Sequence, residues 1–402
     1  MTDTFRQAQE QDRELILQTY ARYPLMVTSA RDTRLIDEQG GEYTDFLSGI
    51  SVCNLGHSHP EVVGALKDQA EKLIHVSNLF YQREQVELAR ALTATCSLEQ
   101  VFFCNSGAEA NESAFKLARR YMRNVMGSGA HEIITLRDSF HGRTLATLTA
   151  TGQDKVKEGF DPLPEGFCQV PPEDLDALRD AISDRTAAVM LEVVQGEGGV
   201  RPLSGEYLLG VQELCREKGI LFMIDEVQTG LGRTGSMWAH QHYGLTPDVI
   251  TVAKGLGNGL PVGAMLATRR AGEGFDPGSH AATFGGNPLV SKVGSKVLEI
   301  LQRDDMSRRN REKQDFFFRL LEKVRERRPQ RISDIRGMGL MLGIELSRSG
   351  KEVWQELLRR GFVCNLVQGT TLRLLPPFTI TDEDIQGFIE ALELALEATE
   401  GE

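Results

Sequence analysis

The sequence predicts an α/β fold: a large region with a mostly parallel sheet covered by helices on both faces, then a smaller α+β region. Three observations carry this. Apolar segments of five to seven residues recur through the middle of the chain, rich in Val, Ile, Leu, Phe and Met. Helix-patterned segments separate them, which is the alternation a parallel sheet requires. Beyond about residue 300 the pattern changes to amphipathic helices and short strands.

Taken in order, residues 101–105 (VFFCN) read as a buried strand. A helix follows from Ser106 to about Met122, with Ser106 and Glu109 spaced as a capping box. Further strands are read over 131–136 (HEIITL), 187–193 (AAVMLEV), 220–224 (ILFMI) and 248–253 (DVITVA). Residues 207–218 form a helix that stops at Gly219. In the last region Phe317, Leu320, Leu321 and Val324 share one helix face. Short strands are read over 341–345, 363–366 and 372–374. Thr381 caps a final helix with Ile385, Phe388, Ile389 and Leu392 on its apolar face. The arginines between 308 and 328 alternate with Glu312, Asp315, Glu322 and Glu326, so they describe a solvated helix face and not a nucleic-acid patch.

The 402 residues are enough for two or three domains and a large core. Lys and Arg total 45 against 57 Asp and Glu, and the net charge of −12 disfavours nucleic acid and anionic membrane as partners. The six cysteines at 53, 96, 104, 168, 215 and 364 form no C-x-x-C pair, which leaves zinc and dithiol chemistry without support. The first sixteen residues are polar and no apolar run reaches bilayer length, so a cytoplasmic location is expected.

In open α/β sheets ligands bind beyond the carboxyl ends of the strands. Three of the predicted strands end in residues with chemical potential. After VFFCN, Ser106-Gly107-Ala108 opens a helix, and free backbone N–H groups there favour phosphate. Read alone, the segment is also a plain helix cap. No Walker A motif occurs, and Gly255-Leu256-Gly257-Asn258-Gly259 lacks dinucleotide spacing because Leu260 follows. After ILFMI comes Asp225, an acid placed to meet a cationic ligand group or an arginine such as Arg233. After DVITVA comes Lys254, and burial there would favour the neutral, nucleophilic amine. A phosphate cradle, a buried acid and a buried lysine together match the needs of pyridoxal 5′-phosphate. Phe140, in SFHGRT, either stacks on its ring or packs the core.

These motifs have a wider match. With DFLSGISVCNLGHSHP (45–60), FFCNSGAEANESAFKLAR (102–119), SFHGRT (139–144), QGEGG (195–199), IDEVQTGLGRTG (224–235), TPDVITVAKGLGNGLPVGA (246–264), TFGGNP (283–288) and LRLLPP (372–377), the chain resembles the class III aminotransferases of the ornithine/acetylornithine type. The resemblance runs from about residue 20 to about 396 and is nearest the acetylornithine branch. It implies pyridoxal-phosphate fold type I, with a seven-stranded large-domain sheet. Residues 1–60 would join the small domain, 61–293 form the large cofactor domain and 294–402 the C-terminal small domain. It implies Lys254 as Schiff-base lysine, Asp225 as partner of the ring nitrogen and Gln228 as partner of the ring hydroxyl. Glu226 belongs to the same cofactor-binding segment. Val227 and Phe140 would flank the ring, with Gly107 and Ala108 on the phosphate. Thr283 would reach the phosphate of a neighbouring subunit, which implies a homodimer with shared active sites. Arg143 and Arg373 would bind carboxylates, and Glu197 would cover Arg373 until a dicarboxylate displaces it.

The implied reaction passes the δ-amino group of N2-acetyl-L-ornithine to 2-oxoglutarate, in arginine biosynthesis. N-succinylornithine, N-succinyl-diaminopimelate, ornithine and 4-aminobutyrate remain alternative donors. The chain departs from the family pattern at Val193, usually proline, and at Ala282, often a hydroxyl residue. Ile50 stands where ornithine enzymes carry tyrosine, which disfavours free ornithine. Tyr23 either faces the substrate or packs the small domain.

Overall fold

The computed structural model describes residues 3–399. The chain opens with an antiparallel meander of β1 (Val27–Arg31), β2 (Arg34–Asp37) and β3 (Glu42–Asp45). The middle supplies β4 (Gln100–Cys104), β5 (Glu132–Leu136), β6 (Phe167–Val170) and β7 (Thr186–Leu191). A small ribbon of β8 (Val194–Gln195) and β9 (Arg201–Pro202) follows, then β10 (Leu221–Asp225), β11 (Val249–Val252) and β12 (Gly263–Ala267). The last part holds β13 (Ile332–Met338), β14 (Met341–Leu346), β15 (Phe362–Val363), β16 (Asn365–Val367) and β17 (Thr371–Leu374).

The central sheet has seven strands in the order β4-β12-β11-β10-β7-β5-β6. Only β12 runs against its neighbours. The carboxyl ends of β4, β7, β10 and β11 therefore share one edge, where a ligand site is expected. All residues of β7, β10 and β11 are buried, which is why they read as unbroken apolar runs. Fully burying a Leu, Ile, Val or Met contributes roughly 1.5–3 kcal/mol. The sequence signal misses β12, because Gly263 and Ala264 lack the bulk of a typical strand. The small residue has a purpose: a Cβ on Gly263 would lie 2.5 Å from the Ser106 carbonyl oxygen.

Helix Gly107–Asn124 begins as its cap predicts, with Ser106 Oγ accepting from Glu109 N at 3.2 Å. The Glu109 carboxylate reaches one residue further back than a capping box requires and accepts from Asn105 N at 2.6 Å. Helix Gly205–Lys218 stops at Gly219, whose φ of 67° suits glycine. Helix Asp382–Ala398 carries the predicted Thr381 cap, and Ile385, Phe388, Ile389 and Leu392 are all buried. Helix Pro288–Arg303 is continuous through the boundary expected after residue 293 and packs on helices Pro60–Ala70 and Arg83–Thr93.

The single strand read over 363–366 is two strands in two sheets. β15 pairs in parallel with β3, whereas β16 pairs antiparallel with β17. Cys364 separates them because its carbonyl is taken by side chains: Tyr23 Oη donates to it at 2.9 Å and Trp354 Nε1 at 3.0 Å. The first sheet thus joins both ends of the chain, and Phe46 seals it against Phe388, with ring centroids 4.6 Å apart.

Arg233 is fully buried and crosses between segments. It donates to Ser51 Oγ, to Asn54 Oδ1 and to the carbonyls of Leu340 (2.9 Å) and Pro376 (2.7 Å). It is not the partner of Asp225. No helix among the described residues is long and apolar enough to cross a membrane.

Candidate active site

A cavity of about 480 Å³ opens at the carboxyl edge of the central sheet. Gly107, Ala108, Phe140, Arg143, Glu197, Asp225, Val227, Gln228 and Lys254 all line it. Residues more than a hundred positions apart meet here because their strands end on the same edge.

Lys254 stands one residue beyond β11, after Ala253, at the start of a short 3₁₀ turn. Its φ of 44° lies in the left-handed region, a strained setting for a side-chain-bearing residue that recurs at functional sites. Gly255 makes the turn possible, since a Cβ there would stand 2.5 Å from Asn54 Nδ2. Burial pushes the Lys254 amine down from its usual 10.5 to about 8. The carboxylates of Glu197, Asp225 and Glu192 pull it up again, and the Arg373 charge opposes them.

Asp225 ends β10 and is nearly inaccessible. Its Oδ1 accepts from Val227 N at 3.0 Å, and its Oδ2 accepts from Asn111 Nδ2 at 2.8 Å. His141 Nδ1 lies 2.9 Å from the same Oδ2. Thr251 Oγ1 completes the support by donating to Asn111 Oδ1 at 2.7 Å. Burial alone would push His141 down, but the hydrogen bond and charge of Asp225 outweigh it and raise its pKa. Glu192, at the end of β7, accepts the backbone N–H of Phe140 at 3.0 Å and so fixes that ring at the cavity wall. Burial raises the Glu192 carboxyl above the usual carboxylate range.

His141, Asn111, Thr251 and Glu192 escaped the sequence reading. His141 adjoins the Phe140 that was singled out, and Asn111 lies one helical turn after Gly107 on the same face. A polar residue on a buried helix face was the available signal.

Glu226 does not join these residues at the cavity. Its side chain is fully buried and turned away from the cavity. The carboxylate accepts from Thr229 Oγ1 (2.5 Å), Ala239 N (3.1 Å) and His240 N (3.0 Å), and it lies 3.0 Å from His240 Nδ1. Side chains alternate along a strand, and at the end of β10 Asp225 turns to the cavity while Glu226 turns away from it. Glu226 holds the following loop together.

Arg373, on β17, is 1% exposed and lies behind Glu197, to which its Nη1 donates at 2.6 Å. The Glu197 side chain is 29% exposed and faces the cavity. Arg143 is exposed at the rim, its guanidinium 5.5 Å from the centre of the Phe140 ring, with no paired carboxylate among the described residues. Thr283 stands elsewhere, in an exposed depression with Glu109, Glu112 and His280. Ile50 is 37% exposed and does not line the cavity; Val52 does.

The cavity fits pyridoxal phosphate on four observations. The N–H groups of Gly107 and Ala108 precede the first intrahelical bond, Ala110 N to Ser106 O, so they are open to an anion. A Cβ on Gly107 would lie 2.6 Å from Val227 Cγ1, so only glycine permits this approach. Asp225 offers a buried carboxylate. Gln228 Oε1 is a buried acceptor with no partner among the described residues.

Comparison with known proteins agrees with this geometry. Residues 16–396 match the family model for class-III aminotransferases. The acetylornithine aminotransferase of Methanocaldococcus jannaschii is 44% identical over 382 residues, 95% of this chain and 96% of its own. That of Oceanobacillus iheyensis is 45% identical over 384 residues, with 95% and 96% covered. Among solved structures, the ornithine aminotransferase of Toxoplasma gondii superimposes with a TM-score of 0.95 at 31% identity, covering 99% of this chain and 96% of that one. The acetylornithine aminotransferase of Elizabethkingia anophelis gives 0.89 at 32% identity, covering 99% and 100%. With the motifs matched along nearly its whole length and the cavity built from them, the chain belongs to the class-III aminotransferases.

Proposed function

We propose that this aminotransferase moves the δ-amino group of N2-acetyl-L-ornithine to 2-oxoglutarate, giving N-acetyl-L-glutamate 5-semialdehyde and L-glutamate. The observation that carries the reading is the pair of arginines of unequal availability. Arg143 is free at the rim, whereas Arg373 is capped by Glu197. A monocarboxylate donor needs one guanidinium fork and a dicarboxylate acceptor needs two. A carboxylate that moves aside lets one cavity serve both.

Lys254, Asp225, Gln228, Val227, Phe140, Gly107 and Ala108 would hold the cofactor. Pyridoxal phosphate supplies an aldehyde that carries the amino group and a ring that accepts electrons. Lys254 Nζ, uncharged in an appreciable fraction near neutral pH, takes and returns the proton at the reacting carbon. Asp225, fixed by Asn111 and His141, keeps negative charge where a protonated ring nitrogen needs it. Arg143 orients the donor carboxylate. The closeness of the acetylornithine enzymes, at 44–45% identity, supports the acetyl-substituted donor.

The working form would be a homodimer with shared sites. Leu79 (89% exposed), Phe80, Tyr81 and Phe284 leave large apolar side chains exposed on two neighbouring loops, the kind of surface a partner subunit covers. Asn78 Nδ2 ties its two loops together by donating to the carbonyls of Ala282 (3.2 Å) and Gly285 (2.9 Å). Thr283 adjoins Phe284 in the neighbouring depression and does not line its own chain's cavity.

Single-turnover mixing tests the substrate. The cofactor-loaded enzyme is mixed separately with N-acetylornithine, N-succinylornithine, N-succinyl-diaminopimelate, ornithine, 4-aminobutyrate and glutamate. Fastest conversion of the visible cofactor band with N-acetylornithine and glutamate is expected. Faster conversion with another donor would replace the named substrate and leave the aminotransferase intact.

A further inference from the structure

We propose that Asn365, oriented by Tyr23, is a positioning residue that holds the Arg373 guanidinium ready for dicarboxylates when Glu197 leaves it. The proposal rests on the reading of Arg373 as a carboxylate-binding arginine.

Asn365 and Arg373 are register partners on the antiparallel pair β16–β17, so their side chains stand beside each other on one face. Arg373 Nη2 donates to Asn365 Oδ1 at 2.6 Å, while Nη1 donates to Glu197 Oε1 at 2.6 Å. Its Nε is buried and has no partner among the described residues. The guanidinium is therefore held between a neutral acceptor and an anionic one, with one donor unspent.

The two anchors differ in what they can do. Glu197 sits in a glycine-rich turn and its side chain is partly exposed, so it can swing away. Gln368 Nε2 donates to its backbone carbonyl at 2.7 Å, which keeps the turn in place while the side chain moves. Asn365 is fixed. Its Nδ2 donates to Tyr23 Oη at 3.3 Å, and Tyr23 Oη donates its one hydrogen to the Cys364 carbonyl at 2.9 Å. A phenol with its hydrogen committed can only accept. The Asn365 amide must therefore turn its nitrogen to Tyr23 and its oxygen to Arg373. A flipped amide would set donor against donor at Arg373 and acceptor against acceptor at Tyr23. The Tyr23 ring is held in turn by an edge contact with Trp354, centroids 4.8 Å apart. Burial raises the Tyr23 phenol, so it stays protonated through the working pH range.

A neutral anchor suits the task. A carboxylate in place of Asn365 would neutralise Arg373 and compete with the substrate. The amide keeps the fork in place and its charge unspent. This gives Tyr23 a role other than either sequence alternative: it acts on the substrate site through Asn365.

The test uses the cofactor-loaded enzyme and three variants, Asn365→Ala, Tyr23→Phe and Arg373→Ala. Two readouts are taken: calorimetric binding of glutarate, an unreactive dicarboxylate, and KM and kcat for 2-oxoglutarate and N-acetylornithine. For Asn365→Ala the glutarate Kd and the 2-oxoglutarate KM should each rise about tenfold, the scale of a mispositioned binding group. The KM for N-acetylornithine and kcat should change several-fold less. Tyr23→Phe, which removes one oxygen, should shift the same two constants about threefold and carries the test if Asn365→Ala fails to fold. Unchanged glutarate binding in Asn365→Ala and Tyr23→Phe, with weakened binding in Arg373→Ala, overturns the proposal and leaves the reading of Arg373 standing. Unchanged binding in Arg373→Ala overturns both.

Discussion

Lys254 shows how a single position sets the chemistry. An ordinary lysine at pH 7 is neutral in about one molecule in three thousand. With its pKa lowered by burial to about 8, Lys254 is neutral in roughly one in ten. The shift favours the uncharged form, so the reactive fraction grows as pH rises through 8. Reloading of the apoenzyme with pyridoxal phosphate should accelerate about tenfold per pH unit below 8 and level off above it. Stopped-flow absorbance across pH 6 to 10 measures this, and a bend near 10 instead would remove the shifted amine from the account. Asp225 makes the matching point for acids. Its role depends on Asn111, His141 and Thr251, none of which touches the strand end in sequence. The residue type was legible from its place after an apolar strand; its supporting partners were not, because they are set by packing between distant segments.

At the level of elements, the loop carrying Glu197 is pinned to the C-terminal sheet. Arg336 Nε donates to the Gly199 carbonyl at 2.9 Å and Nη2 donates to Glu345 Oε2 at 2.6 Å. Thr370 and Thr371 hydroxyls donate to the same carboxylate at 2.5 and 2.7 Å. Burial would raise Glu345, but these hydrogen bonds and the arginine charge outweigh it and lower its pKa to about 2. The carboxylate therefore stabilises the fold fully above its unfolded value of 4.5, and that contribution fades as pH falls from 4.5 towards 2. Glu345→Gln should cost about 1–3 kcal/mol at pH 7, the range of a charged hydrogen bond. Urea unfolding should show the gap narrowing below pH 4.5, and a constant gap down to pH 3 would contradict it. Elements with a strong period were readable in advance: β10, β11 and helix Gly205–Lys218 fall within about two residues of their predicted ends. The reversed β12 and the split of residues 362–367 between two sheets were not. The first has too little bulk to signal a strand, and the second depends on Tyr23 and Trp354 claiming the Cys364 carbonyl. Glu226 lies outside the cavity because side chains alternate as the chain leaves β10, and its partners Thr229, Ala239 and His240 are set by the fold of the following loop.

For the whole molecule, the exposed patch of Leu79, Phe80, Tyr81 and Phe284 sets the expected assembly. On the proposed dimer with shared sites, Phe80→Asp combined with Tyr81→Asp should give a folded monomer by sedimentation, with near-complete loss of turnover because the proposed contact of Thr283 with a second site is lost. A fully active monomer would break the link between assembly and catalysis. The terminal sheet has a different consequence. β3 receives β15 as its neighbour, and Tyr23 bonds Cys364 across 341 positions. On the ribosome, the first three strands emerge early yet stay without their fourth until nearly the entire polypeptide has been made. Through that interval β3 presents an unpaired edge to the crowded cell. Chaperone demand during translation, rather than stability once folded, is where this topology makes the protein vulnerable.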